Sequence, residues 1–138
     1  MVLENEVDNF MKSIREFLNK MHIGYKCRSI YIKVAVNVEN SKIVHFFFEK
    51  GWIKLYFIQD NEIVIYLRYI NNKPLFTKIK FISTKGHRKY YSKESLYFYK
   101  KYNGGNANIL LYTSYGLLSL NSAKQLAIGG EVAYLLYN

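Results

Sequence analysis

Ala107-Asn108-Ile109-Leu110-Leu111-Tyr112-Thr113-Ser114-Tyr115-Gly116-Leu117-Leu118, continued by Ser119 to Lys124 and then by Gly129-Gly130-Glu131-Val132, is the stretch that decides the fold. An apolar strand runs into a turn of small hydroxyl residues and glycine. A short amphipathic helix follows, and a double glycine leads into a closing strand. Such a segment presents backbone and hydroxyl groups densely, with little side-chain bulk. It suits close approach to a polar partner better than bond-making chemistry.

Working back from this stretch, the chain divides near its single proline, Pro74. Ahead of it, Val7, Phe10, Met11, Ile14, Leu18 and Met21 repeat at helical spacing and predict an amphipathic helix from Glu4 to Lys20, with Gly24 ending the region. Ser29 to Val36 alternates as a strand. Asn37 is placed to N-cap a second helix carrying Val38, Ile43, Val44 and Phe47, and Gly51 to end it. Trp52 to Ile58 reads as a strand that turns at Asp60-Asn61 into another, Glu62 to Ile70, closed by Asn71-Asn72. Beyond Pro74, Leu75 to Ile82 alternates again, followed by the basic loop Ser83 to Lys89, a tyrosine-rich stretch and the loop Asn103-Gly104-Gly105-Asn106. The pattern predicts an α+β protein with an amino-terminal α-β-α-β-β unit at residues 1–73. That unit is expected to pack against a mostly β carboxy-terminal unit with one short helix at 74–138.

Composition bounds the partner. The 138 residues carry 20 basic against 10 acidic side chains, a net charge of +10, and half of the chain is hydrophobic. That excess favours a polyanion, nucleic acid ahead of an anionic membrane, with plain solubilising charge as the bland alternative. Arginine occurs only at 15, 28, 68 and 88, so recognition must lean on lysine, backbone, hydroxyls and shape rather than on bidentate guanidinium contacts. The joint richness in Lys, Asn, Ile, Tyr and Phe is what AT-rich codons produce. Cys27 is alone, which excludes an internal disulfide. No apolar run approaches the roughly 18 residues of a membrane span, and the acidic start at Glu4, Glu6 and Asp8 suits neither a transit peptide nor a secretory signal.

No catalytic constellation emerges. Ser114 lacks the preceding glycine of a nucleophile elbow. His22, His45 and His87 lack metal-ligand spacing. Gly104-Gly105 and Gly129-Gly130 fit no phosphate-loop pattern, and the carboxylates are dispersed. Lys85 to Lys89 beside Tyr90-Tyr91 sets cations next to aromatic faces, an arrangement that suits phosphates and bases, although a solvated hairpin end would look the same.

Several short matches, in order along nearly the whole chain, resemble the S-eight family of small-subunit ribosomal proteins. Asp8 to Arg15 is similar to the family's opening D-x-x-x-x-I-R helix. Glu49-Lys50-Gly51-Trp52-Ile53 is similar to its E-x-G-[FY]-I junction, and Ile82 to Tyr90 to its I-S-x-P-G-x-R-x-Y segment. Tyr112 to Gly116 and Gly129-Gly130-Glu131 resemble its S-T-S-x-G and G-G-E elements.

The resemblance implies an α+β fold in two units and a structural, non-enzymatic role binding the central domain of small-subunit rRNA. Thr113, Ser114, Gly116, Gly129, Gly130 and Glu131 would face the RNA, with Lys85, Arg88 and Tyr90 nearby. Tyr112 and Tyr115 stand where members have Ser and Lys, so polar contacts there are expected to become stacking contacts. Lys85 replaces a proline, and Tyr99 to Asn103 resembles an insertion. The expected partners are small-subunit rRNA and neighbouring ribosomal proteins, with no membrane, small-molecule substrate, homo-oligomer, cofactor or metal. The expected location is the mitochondrial ribosome, with the cytoplasm of an AT-rich bacterium or a plastid as alternatives. A free-standing RNA-binding translational regulator using the same surface, and an enzyme with a basic groove, remain the other readings.

Overall fold

The computed structural model describes residues 2–82, 89–99 and 107–138 and divides into two compact units, Met1–Leu75 and Phe76–Asn138. Both are mixed α and β, the second predominantly β, in agreement with the expected fold class.

The first unit opens with helix α1 (Val2–Lys26), which buries Met11, Ile14, Phe17, Leu18, Met21 and Tyr25 along one stripe. It runs past the predicted end. Gly24 lies inside the helix, and a Cβ there would meet Ile32 Cγ2 at 2.8 Å and Leu67 Cδ1 at 3.0 Å, so this glycine serves close packing rather than termination. The stop comes at Arg28, whose φ of 56° lets Ser29 N–H reach the Gly24 carbonyl at 2.8 Å in a Schellman motif.

Strand β1 (Tyr31–Ala35) leads to helix α2 (Val38–Glu49). Asn37 caps α2 by accepting the Asn40 N–H at 2.7 Å, and Gly51 follows its end with φ +74°, both as the sequence predicts. Trp52 N–H still serves that cap by bonding the Phe47 carbonyl at 2.9 Å, which delays strand β2 to Leu55–Gln59 instead of the expected start at Trp52. Asp60 and Asn61, both left-handed, turn the chain into β3 (Glu62–Tyr66). The antiparallel sheet has the order β1-β3-β2. Its register puts Ile32, Val34, Ile63 and Ile65 on the face that meets α1, while Phe17 and Phe47 pack edge-to-face with ring centroids 4.9 Å apart. The predicted strand Glu62–Ile70 breaks after Tyr66. Its last residues form a separate hairpin, β4 (Tyr69–Ile70) with β5 (Lys73–Pro74), turned by the left-handed pair Asn71 and Asn72.

The second unit contains β6 (Lys78–Phe81), β7 (Tyr90–Tyr91), helix α3 (Lys93–Tyr99), β8 (Ala107–Thr113), β9 (Gly116–Ser119), helix α4 (Leu120–Gln125) and β10 (Gly130–Tyr137). The sheet order is β6-β10-β8-β9, with β7 also on β10, so the closing strand is central. Strand β6 is shorter than the predicted Leu75–Ile82. A bulge between Val132 and Tyr134 keeps Val132 and Leu135 on one face. There they join Ile109, Leu111, Leu96, Leu120 and Ala123 in a core under the two helices. Helix α3 has no counterpart in the sequence reading; Ser92 initiates it, its hydroxyl accepting the Ser95 N–H at 3.3 Å. It takes in Tyr99, the start of the expected insertion. The rest of that segment and the Asn103–Asn106 loop lie outside the described residues.

Candidate RNA interface

Three segments converge at one end of the second unit's sheet: strand β7, the turn from β8 to β9, and the start of β10. The register sets Glu131 opposite Tyr90 on one side and Tyr112 on the other, so the three form a cross-strand row on one face. Gly130 lies opposite Tyr91 and beside Thr113. The glycine pair is dictated by crowding. A Cβ on Gly129 would fall 2.3 Å from the Tyr91 carbonyl oxygen, and one on Gly130 would fall 2.9 Å from both Thr113 Cγ2 and the Tyr112 carbonyl oxygen. Any side chain at either position would push β7 or β8 off β10.

The turn is self-supporting. Thr113 Oγ1 donates to the Gly116 carbonyl at 2.8 Å and accepts the Tyr115 N–H at 3.1 Å. Gly116 has φ +97° with open space around it, so backbone conformation alone calls for glycine there. Thr113 thus spends its hydroxyl on the turn, while Ser114 is exposed and Tyr115 is 69% exposed at the tip. Tyr90 is 71% exposed on the neighbouring strand, and Lys89 holds its ammonium 5.4 Å from the Tyr91 ring centroid. Lys89 closes the basic segment Lys85 to Lys89 that the sequence sets beside two tyrosines, and its ammonium does lie against one of those rings.

Tyr112 is used differently from its neighbours. It is half-buried, and its hydroxyl shares a 2.5 Å hydrogen bond with that of Tyr134, which is 1% exposed. Glu131 is half-buried as well. The structure therefore brings together Tyr90, Tyr112, Thr113, Ser114, Tyr115, Gly116, Gly129, Gly130 and Glu131. Lys85 and Arg88, and with them His87, lie outside the described residues.

Elsewhere, Cys27 is exposed, and His45 is a surface residue whose Nε2 lies 2.9 Å from Glu49 one helical turn on. Among the described residues no three His, Cys, Asp or Glu side chains group to hold a metal, and no helix is long and apolar enough to cross a membrane. The surface can offer hydroxyls, exposed aromatic faces, backbone groups and a carboxylate at close quarters, within a chain of strong positive charge. That is the equipment of a nucleic-acid-binding protein.

Comparison with known proteins makes the class specific. Residues 12–137 match the family model of ribosomal protein S8, and the chain belongs to that family. It is 33% identical over 128 residues to small ribosomal subunit protein uS8m of Acanthamoeba castellanii, covering 88% of this chain and 95% of the relative. It is 30% identical over 135 residues to small ribosomal subunit protein uS8 of Shewanella frigidimarina, covering 96% of each. With the uS8 of Cytophaga hutchinsonii it shares 29% over 133 residues, covering 92% of this chain and all of the relative. The family is one of structural ribosomal proteins rather than enzymes.

Proposed function

We propose that this protein binds the central domain of small-subunit rRNA, supports its assembly, and remains as a structural part of the subunit beside neighbouring ribosomal proteins. The binding surface is the end of the second unit's sheet. The observation that carries this reading is the Thr113–Gly116 turn, which holds its own shape and leaves Ser114 and Tyr115 exposed next to Tyr90 and Glu131.

An RNA helix displays its 2′-hydroxyls and base edges in a wide, shallow minor groove that a blunt turn of this kind can enter. Ser114 offers a donor and an acceptor there, and Tyr90 and Tyr115 offer rings to unstacked bases. Gly129, Gly130 and Tyr112 hold the strands in place. Lys85, Arg88 and Lys89 are assigned to phosphates, which position the protein without reading sequence. The AT-type composition and the similarity to a mitochondrial uS8m support a mitochondrial ribosome as the site of action.

The test is affinity for a central-domain rRNA fragment, measured with Ser114→Ala and across a salt series. Removing one partner of a buried hydrogen bond costs about 1–3 kcal/mol, so the variant is expected to bind at least several-fold more weakly with its fold intact. Wild-type affinity is expected to fall steeply with salt as counterions are released. Unchanged affinity of Ser114→Ala would move the contact surface away from this turn. Sedimentation of the protein apart from small subunits would favour a free-standing regulator.

A further inference from the structure

A second anion-seeking site stands in the first unit, at the end of the sheet where β1 and β2 begin and β3 finishes. A cleft of about 320 Å³ opens there, lined by Ile30, Lys54, Tyr66, Leu67, Arg68 and Tyr69. Backbone bonds tie its walls together: Leu67 N–H to the Ile30 carbonyl at 3.0 Å and Lys54 N–H to the Tyr66 carbonyl at 2.9 Å.

The arginine and Tyr69 side chains are held in place, while Lys54 is exposed. Arg68 Nη1 donates to the Gly51 carbonyl at 2.6 Å, and the Arg68 backbone N–H donates to the Tyr25 hydroxyl at 3.2 Å. The Tyr69 hydroxyl donates to the Ser29 carbonyl at 2.6 Å. Arg28 stacks over the Tyr69 ring at 5.5 Å and is itself anchored on the Asn72 carbonyl. These anchors are neutral carbonyls, which orient a guanidinium without cancelling its charge. Among the described residues neither Arg28, Lys54 nor Arg68 has a carboxylate at ion-pair distance. Uncompensated cations therefore surround a fixed aromatic and aliphatic wall.

We propose that this cleft binds one unpaired nucleotide of an RNA strand, its base against the tyrosine and aliphatic wall and its phosphate between Lys54 and Arg68. The volume is at the lower end of the roughly 300–1,000 Å³ typical of small-molecule sites, which suits a single nucleotide and excludes a duplex. Arg28 covers part of Tyr69, and Tyr66 packs against Tyr31 and Phe57, so the base is received on the remaining ring surface and the exposed Ile30, beside the cations. The site lies on a different unit from the turn at Thr113–Gly116, and it deepens the reading that this protein acts on RNA, on which it rests.

The experiment uses the full chain with labelled pentauridylate and pentaadenylate at low salt, and separately with the folded central-domain rRNA fragment. Lys54→Glu is compared with Lys42→Glu, the same charge change on exposed α2 of the same unit. Lys54→Glu is expected to weaken pentanucleotide binding at least tenfold and Lys42→Glu less than threefold. Crosslinks from the oligonucleotide are expected on the peptide containing Tyr66 and Tyr69. Equal losses from the two lysine variants, or crosslinks mapping only to residues 76–138, would overturn the site. Failure of wild type to bind the folded rRNA fragment would instead count against the proposed function, so the two failures are distinguishable.

Discussion

The hydroxyls of Tyr112 and Tyr134 meet at 2.5 Å, with the rings edge-to-face and their centroids 5.8 Å apart. The contact joins the strand that runs into the exposed turn to the central closing strand, so the shape of the turn is coupled to the middle of the sheet. It also gives Tyr112, which stands where the resembling family has Ser, a structural occupation that explains the larger side chain. Either Tyr112→Phe or Tyr134→Phe deletes one partner of a half-buried pair and is expected to cost about 1 kcal/mol. The double variant should cost less than the sum. A double-mutant cycle from urea unfolding measures the coupling, and a coupling near zero would show that the pair contributes nothing. RNA affinity of Tyr112→Phe should remain within about twofold of wild type, because the hydroxyl is directed to Tyr134.

Gly116 and Gly129 require glycine for opposite reasons, and substitution separates them. At Gly116 nothing lies within 4 Å of an added Cβ, and the cost is that of φ +97° alone. Alanine there should lose roughly 1–2 kcal/mol, and asparagine, which tolerates positive φ, should lose less than alanine. At Gly129 the obstacle is a backbone carbonyl at 2.3 Å. Alanine should cost about 1–3 kcal/mol by overpacking, and asparagine should be worse than alanine. Melting temperatures of the four variants decide the matter; the same rank order at both positions would refute the distinction. Gly129→Ala should also weaken RNA binding, by moving β7 and with it Tyr90.

What could be read from the sequence was the part set by local backbone chemistry. Asn37 as a cap, Gly51 after α2 and Asp60-Asn61 as a hairpin turn each depend on residues only a few positions away, and each stands as predicted. Gly24 was misread because its role depends on Ile32 and Leu67, distant in sequence, pressing on the helix. Helix α3 was hidden by tyrosines that suit strands as well, although Ser92 ahead of Lys93-Glu94-Ser95 was an available capping signal. At the candidate site, the clustering of the turn with Gly129-Gly130-Glu131 was implied by the family resemblance, and the strand register brings the two together. The partnership of Tyr112 with Tyr134 was not implied, since it needs the bulge between Val132 and Tyr134 to bring both onto one face. The cleft at Lys54 and Arg68 was equally out of reach, because the ends of three strands build it.

Tyr25 links stability to alkaline pH. Its buried hydroxyl accepts the Arg68 N–H, and burial pushes its pKa from 10.0 up to about 12. The unfolded chain therefore loses this proton first, near pH 10, while the folded chain keeps it. The stabilisation is complete below about pH 10 and is lost as pH rises towards 12. Burial raises Tyr69 and Tyr99 in the same direction. Tyr25→Phe removes the Tyr25 contribution, so the gap in urea midpoint between wild type and variant should narrow from about pH 9 to about pH 11.5. A gap that stays constant would contradict burial as the source of the shift.

Glu131 is the one acidic side chain in the cross-strand row, half-buried between Tyr90 and Tyr112 on their respective strands. A carboxylate set against phosphate would repel it, so its place on the proposed RNA surface needs a specific reason. Accepting a hydrogen bond from a base amino group or a 2′-hydroxyl is one; orienting the Gly129-Gly130 backbone and the neighbouring turn from within is the other. An ordinary edge glutamate in solvent is the bland alternative, and its half-burial in the row argues against that. Glu131→Gln keeps the shape and part of the acceptor capacity while removing the charge. If the carboxylate reads the RNA or sets the turn, the variant should lose discrimination between the cognate helix and a scrambled one. If it is merely a surface charge, both affinities should rise slightly and together, through the added net positive charge. Measuring both RNAs at one salt concentration separates the cases, and equal gains on the two would remove Glu131 from the recognition surface.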